Sequence, residues 1–303
     1  MNFEIQILGS GSAIPTKDRS LTAQIITAYK EPYLIDCGEG TQLQMRRFDV
    51  KFSKIKHIFI SHLHGDHFFG LFGLISTYNL LGRKSTLNIY AHKELEDMLL
   101  CENSPLKIDE LVFDIKFHHL SDEEKIIYEN NNLIVKSFPL NHRIKTCGFL
   151  FQQKVRQPNI IKEKITEFNL SIQQILDLKA GKDIEIDNKL FPNNELTNSP
   201  PAPKSYAYCS DTAYFENIIP IIQNTDLLFH EATFSEKDAM NAEKTGHSTA
   251  SDAANIAQKA NVKQLLIGHF STRYPNLNYL LKEAQNIFPN TILTEDGLVI
   301  EIS

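Results

Sequence analysis

The chain has 303 residues, 42% hydrophobic and 22% charged, with 31 Lys and Arg against 37 Asp and Glu for a formal net charge of −6. That length can bury a large core, and the composition excludes an extended disordered chain. The acidic balance argues against coating nucleic acid over a broad face, though it leaves room for one local basic groove.

The opening segment, Met1-Asn2-Phe3-Glu4-Ile5-Gln6-Ile7, has no basic cluster and no long apolar run, so no leader is expected. Phe3, Ile5 and Ile7 alternate with polar residues and predict a half-buried strand. Gly9-Ser10-Gly11 reads as a tight turn, since a dinucleotide loop would need a third glycine and a helix start where Pro15 stands. Residues 32–37 predict a strand closed by Gly38-Glu39-Gly40. Residues 55–60 form a short buried strand that leads directly into His62. Residues 68–81 are apolar on most faces, as in a buried helix.

Strands are then predicted over 133–138, just before His142, over 206–209, before Asp211, and over 226–229, before His230. Residues 248–260 predict a helix with a serine cap. A strand over 264–267 precedes His269, a helix spans 277–287, and strands over 291–293 and 298–302 close the chain. Five strand ends each deliver a His or Asp, the pattern of an α/β layered fold that assembles its site from loops at one sheet edge.

Residues 152–203 differ. They are polar, Asn-rich and closed by Ser199-Pro200-Pro201-Ala202-Pro203, with a short helix over 171–178 and a turn at Gly181. We read them as an arm inserted in a single domain spanning 1–303. Between Lys154 and Lys182, Lys154, Arg156, Lys162, Lys164, Lys179 and Lys182 outnumber Glu163, Glu167 and Asp177, so the arm is either a solvated loop or a grip on an anionic substrate. No stretch reaches the ~20 apolar residues of a membrane span. Cys37, Cys101, Cys147 and Cys209 include no C-x-x-C pair, and a cytoplasmic protein with reduced thiols is expected.

Three of the eleven histidines fall in His62-Leu63-His64-Gly65-Asp66-His67. Imidazole nitrogens and carboxylate oxygens are ligands for zinc and similar divalent ions. His62 and His64 can approach one ion from a turn after a strand, while Asp66 and His67 point elsewhere and suit a second ion, as in sites whose ions lie ~3.5–4 Å apart. His57, His92, His118 and His119 carry no such pattern and read as ordinary core or surface residues.

The His62–His67 motif resembles the signature of the metallo-β-lactamase superfamily. The resemblance implies an αββα sandwich, with two mixed sheets between helices. It also implies that His62, His64 and His142 hold one ion, that Asp66, His67 and His269 hold the other, and that Asp211 bridges them. Further segments resemble the ribonuclease Z family: Leu8-Gly9-Ser10-Gly11-Ser12-Ala13-Ile14-Pro15-Thr16 with Arg19, Ile35 to Gln42, His230-Glu231-Ala232-Thr233, Gly246-His247-Ser248-Thr249 and His269-Phe270-Ser271-Thr272-Arg273-Tyr274. Together they cover nearly the whole chain except the arm, which lacks the Gly-Pro tip common in bacterial members.

That resemblance implies a zinc-dependent endoribonuclease, with manganese as the alternative metal, that removes the 3′ trailer from pre-tRNA. It would leave a 3′-hydroxyl on the tRNA and a 5′-phosphate on the trailer. Asp66 would be both ligand and proton acceptor. His247, supported by Glu231, would protonate the leaving oxygen, and Ser271 and Arg273 would contact phosphate. His230 reads as structural. Homodimerisation is implied by the bacterial relatives alone. Competing readings are a small-molecule phosphodiesterase or arylsulfatase-like hydrolase with the same seven ligands, and a non-catalytic RNA-binding protein, which would need a damaged site.

Overall fold

The computed structural model describes residues 3–101, 104 and 106–302; Met1 and Asn2 of the opening segment lie outside them. The strands are β1 (Phe3–Gly9), β2 (Ala23–Ala28), β3 (Glu31–Ile35), β4 (His57–Phe59), β5 (Leu87–Ala91), β6 (Ile115–His119), β7 (Lys125–Glu129), β8 (Leu133–Pro139), β9 (Cys147–Gln153), β10 (Asn159–Ile160), β11 (Ile184–Ile186), β12 (Lys189–Phe191), β13 (Thr197–Asn198), β14 (Ser205–Cys209), β15 (Leu227–Glu231), β16 (Gln264–Gly268), β17 (Thr291–Leu293) and β18 (Val299–Glu301). Two seven-stranded sheets run in the orders β18-β1-β2-β3-β4-β5-β6 and β17-β16-β15-β14-β9-β8-β7. Both are mixed: β1–β2–β3 pair antiparallel and β3–β4–β5–β6 parallel, while β14–β15–β16–β17 are parallel and β9 joins β14 antiparallel.

The two-residue period of a strand sends alternate side chains to opposite faces, and the cores follow it. Tyr33 and Ile35 of β3 and Phe229 and Leu266 of β15 and β16 enter one cluster between the sheets. There Phe59 stacks on Tyr90 at 4.5 Å and meets Phe151 edge-on at 5.3 Å, favoured geometries for rings that also bury large areas. Leu34, Ile58 and Ile89 face the other way, onto Leu71, Leu74 and Tyr78 of helix Gly70–Leu80. Leu228, Leu265 and Ile267 face Ala253, Ala257 and Leu280 of helices Ala250–Lys259 and Asn278–Ile287. Helix, sheet, sheet and helix thus stack in four layers, the αββα sandwich.

Local differences from the sequence reading have physical reasons. Neither Gly9 nor Gly11 has positive φ; a Cβ on Gly9 would overlap the Leu21 carbonyl, so this glycine permits a close strand approach and not a turn. The helix expected over 68–81 is two pieces, Gly65–Phe68 and Gly70–Leu80. A Cβ on Gly70 would overlap the Gly38 carbonyl, and one on Gly38 the Asp66 carbonyl, so these two glycines let the metal-motif loop and the strand β3 loop interlock. The cap of Ala250–Lys259 is Thr249, which exchanges bonds with Asp252 in a capping box; Ser248 instead donates to the Thr212 carbonyl at 2.7 Å.

Residues Gln153–Pro203 form a separate compact unit. Its own small core holds Leu170, Leu178, Ile184 and Leu196. Helix Ile172–Lys179 is capped by Ser171, and Gly181 adopts φ +82°, as the sequence suggested. No helix among the described residues is long and apolar enough to cross a membrane.

Candidate metal centre and active site

The ligand loops leave β4, β8, β14 and β16, so the sheet pairing itself gathers them. Parallel β14, β15 and β16 align Cys209, His230 and Ile267, which brings Asp211 and His269, each just beyond its strand, to one edge. Strand β15 runs two residues further than expected. Alternation then sends Glu231 to the same face as Phe229, toward the site, and turns His230 to the helix side, where its Nδ1 bonds the Glu231 carbonyl at 2.7 Å. His230 is fully buried and takes no part in the ligand sets.

Two sets of ligand atoms converge. In the first, His64 Nδ1 lies 3.1 Å from His62 Nε2 and 3.3 Å from His142 Nε2, and Asp211 Oδ2 lies 3.4 Å from His62 Nε2 and 3.8 Å from His142 Nε2. In the second, His269 Nε2 lies 3.3 Å from His67 Nε2 and 3.4 Å from Asp66 Oδ2, and Asp211 Oδ1 lies 3.2 Å from His269 and 3.4 Å from His67. Four ligands ~2.0–2.1 Å from a tetrahedral ion lie ~3.3–3.4 Å apart. Asp211 gives one oxygen to each set.

The imidazole tautomers follow from what holds the far nitrogens. His67 Nδ1 meets Asp36 Oδ2 at 2.8 Å and His142 Nδ1 meets the Gly246 carbonyl at 2.6 Å. These partners only accept, so Nδ1 donates and Nε2 presents a lone pair to the centre. His269 Nδ1 donates to Thr233 Oγ1 at 2.8 Å, and that hydroxyl donates onward to Glu231 Oε2 at 2.7 Å. Lone pairs and carboxylate oxygens therefore face one another. Asp211 Oδ1 is buried with no hydrogen bond made to it, an arrangement that a bound cation satisfies. Burial lowers His62 to about 4. Burial also opposes protonation of His67, yet Asp211, Asp66 and Asp36 hold it well above its ordinary value; the same carboxylate charge is what a divalent ion neutralises. The donor set fits two divalent ions.

Asp36 was not singled out from the sequence. Its buried carboxylate accepts from the Ser61 amide at 2.7 Å, the Ser61 hydroxyl at 2.9 Å, the Tyr208 hydroxyl at 2.7 Å and His67. The available signal was a charged residue directly after the apolar Leu34-Ile35. Asp66 accepts the Ala13 amide at 2.7 Å, which ties the N-terminal loop to the centre.

His247 lies over the ligands, its ring 5.0 Å from His142 and 5.5 Å from His269. Its Nδ1 is 2.8 Å from Glu231 Oε1. Burial lowers its basicity, but Glu231 and Asp211 raise it further, to about 9. Glu231 is fully buried and also accepts the amides of Thr212, Thr233 and Ser248 at 3.1, 2.9 and 3.0 Å. A cavity of about 550 Å³ opens over Asp66, Asp211, His247 and Ser271. Arg273 is not among its lining residues; its guanidinium pairs with Asp238 at 3.3 Å and stacks on Phe234. His57, His92, His118 and His119 stand apart from the ligand clusters, His119 paired with Glu96 and His118 stacked on Tyr90.

Two family models match the chain, "Anti-Pycsar protein Apyc1" over residues 3–168 and "Beta-lactamase superfamily domain" over residues 201–270. Ribonuclease Z of Parabacteroides distasonis is 47% identical over 308 residues, covering 99% of this chain and 99% of the relative. The short form of human tRNase Z superposes with a TM-score of 0.70 at 26% identity over 99% of both chains. The metallo-β-lactamase fold protein YhfI of Bacillus subtilis gives 0.71 at 18% identity over 99% of this chain and 100% of its own, a likeness of fold alone. With the ligand geometry and full-length identity in agreement, the chain belongs to the ribonuclease Z family of metallo-β-lactamase-fold hydrolases.

Proposed function

We infer that this chain is a metal-dependent endoribonuclease that removes the 3′ trailer from pre-tRNA. The observation that carries the reading is the pair of ligand sets sharing Asp211, with the His247–Glu231 pair directly above them, in a chain of the ribonuclease Z family. We assign zinc to His62, His64, His142 and Asp211, and to Asp66, His67 and His269 with the second oxygen of Asp211, because these nitrogen and carboxylate donors approach one another at 3.1–3.8 Å. Bound divalent ions supply Lewis acidity, bringing the pKa of water toward neutrality and offsetting charge on phosphoryl oxygens.

The chain's own groups then move the protons. Asp66, held by the Ala13 amide, orients the attacking water and accepts its proton. The bond from phosphorus to the 3′ oxygen breaks, and His247, kept protonated by Glu231, gives its proton to that oxygen. The tRNA leaves with a 3′-hydroxyl and the trailer with a 5′-phosphate. Ser271 lines the cavity and is placed to meet phosphate; for Arg273 to do so, its guanidinium must leave Asp238. We assign the compact unit Gln153–Pro203 to tRNA contact on its lysines, and a homodimer in the cytoplasm as the working form.

Purified protein incubated with a 3′-extended pre-tRNA should make one cut, after the discriminator base, that a chelator abolishes. Cleavage of a small phosphodiester without any cut in pre-tRNA would refute the assignment in favour of a small substrate.

A further inference from the structure

The cavity over the metal centre must take a polyanion, and the divalent ions assigned to its ligand sets offset Asp66 and Asp211 but serve the phosphate that is cut. Glu39, Asp66 and Asp211 line it, and the chain as a whole carries −6. Among the lining residues there is one Lys or Arg, Arg143. Arg143 is exposed, and no hydrogen bond, ion pair or aromatic stack engages it among the described residues. Arg273, four residues beyond His269, is committed to Asp238 and Phe234.

Arg143 is also well anchored at its base. It follows the ligand His142, whose Nδ1 bonds the Gly246 carbonyl at 2.6 Å. Gly246 itself adopts φ +71°, and a Cβ there would lie 3.4 Å from Arg143 Cγ and 3.5 Å from its amide nitrogen. The stem of Arg143 thus packs against the residue preceding His247, while the guanidinium is left free at the cavity wall. A planar fork of donors, permanently charged and preorganised next to a ligand, suits the non-bridging oxygens of a phosphodiester.

We propose that Arg143 grips an RNA backbone phosphate flanking the one that is cut. The scissile phosphate already faces the ligand sets and His247, whereas the next phosphate along the strand has no other cation in this wall. The proposal rests on the trailer-cutting reading above. A contact to a flanking phosphate forms equally in the bound substrate and in the transition state, so it lowers KM and leaves kcat nearly alone.

The test is cleavage of a 3′-extended pre-tRNA by intact wild-type, Arg143→Ala and Arg143→Lys protein across a series of KCl concentrations. Arg143→Ala should raise KM about tenfold with kcat within about threefold. Its plot of log kcat/KM against log salt should be shallower by roughly 0.7–0.9, the loss of one phosphate contact. Arg143→Lys should restore the salt slope but only part of KM, because it keeps the charge and loses the fork. A wild type that cuts pre-tRNA and an Arg143→Ala protein with the wild-type slope would overturn this inference alone, as would a fall in kcat at unchanged KM. A wild type that makes no cut would overturn the trailer-cutting reading first.

Discussion

Replacing Glu231 by glutamine separates its two jobs, holding the loops and holding a proton on His247. Five donors converge on this buried carboxylate: Thr212 N, His247 Nδ1 and Ser248 N on Oε1, and Thr233 N and Thr233 Oγ1 on Oε2. The amide of Glu231→Gln has one accepting oxygen and one donating nitrogen. The less costly orientation turns the nitrogen to Thr233, which strands at least the Thr233 amide. One unmade buried bond costs ~1–3 kcal/mol, so the melting temperature should fall by several degrees. None of the seven proposed metal ligands is changed, so metal content should stay near that of the wild type. Catalysis should suffer far more, because His247 loses the neighbour that most strongly raises it toward about 9. A positioned general acid contributes ~10²–10⁴-fold, and kcat on pre-tRNA should drop by at least ~100-fold, with the alkaline limb of the pH–kcat profile moved to lower pH. Melting, metal analysis and single-turnover cleavage on one preparation decide the matter. A cooler melt with kcat within threefold of wild type and an unmoved alkaline limb would show that Glu231 only braces the loops.

Four further outcomes are expected. His247→Ala should retain its metal by elemental analysis and lose most cleavage; parallel loss of both would make His247 a ligand. Asp36→Asn should weaken metal affinity ~10–100-fold, because it removes the charge that fixes the His67 tautomer; competition with a graded chelator reads this, and unchanged affinity would refute the role. Gly70→Ala should lower the melting temperature and metal content together, since its methyl group meets the Gly38 carbonyl; a wild-type melt would show that the loops can part freely. His57 is buried among Tyr33, Tyr90 and Tyr128 and held to about 4 by that burial. A histidine whose folded value lies below its ordinary ~6.5 loses stability as pH falls from there toward 4, by ~2 kcal/mol at pH 5. Urea midpoints at pH 7.5 and pH 5 should therefore differ less in His57→Phe than in the wild type; equal differences would refute the linkage.

The clustering of the seven candidate ligands was legible because most of them sit just past an apolar run and four share one compact local motif. The bracing groups were less legible. Asp36 gains its meaning only when parallel β3 and β4 bring it beside Ser61 and His67, a contact no local pattern encodes. Thr233 and the Gly246 carbonyl likewise act through partners distant in sequence. Among the elements, β2 escaped notice because its hairpin to β3 turns through Tyr29 and Lys30, both at positive φ, 52° and 68°, and neither is a usual turn former. The β11–β12 hairpin carried a better cue, Asp187-Asn188 at φ 52° and 61° between paired Ile186 and Lys189, hidden by strands of only three residues. Glu231 lies within hydrogen-bond reach of His247, as its sequence neighbours suggested, but its place inside β15 came from the sheet, whose register carries the strand past Phe229.

The chain leaves the second sheet near Gln152 and returns at Ser205, and these two residues are register partners on neighbouring antiparallel strands. An excursion that starts and ends across one strand pair imposes no length requirement on the sheet; each doubling of a flexible loop adds only ~0.6 kcal/mol of closure entropy. Over evolutionary time the segment between them is therefore an exchangeable cassette. It can grow, shrink or be replaced while β14 still delivers Asp211 to the same point, so whatever the segment touches can change without reopening the chemistry.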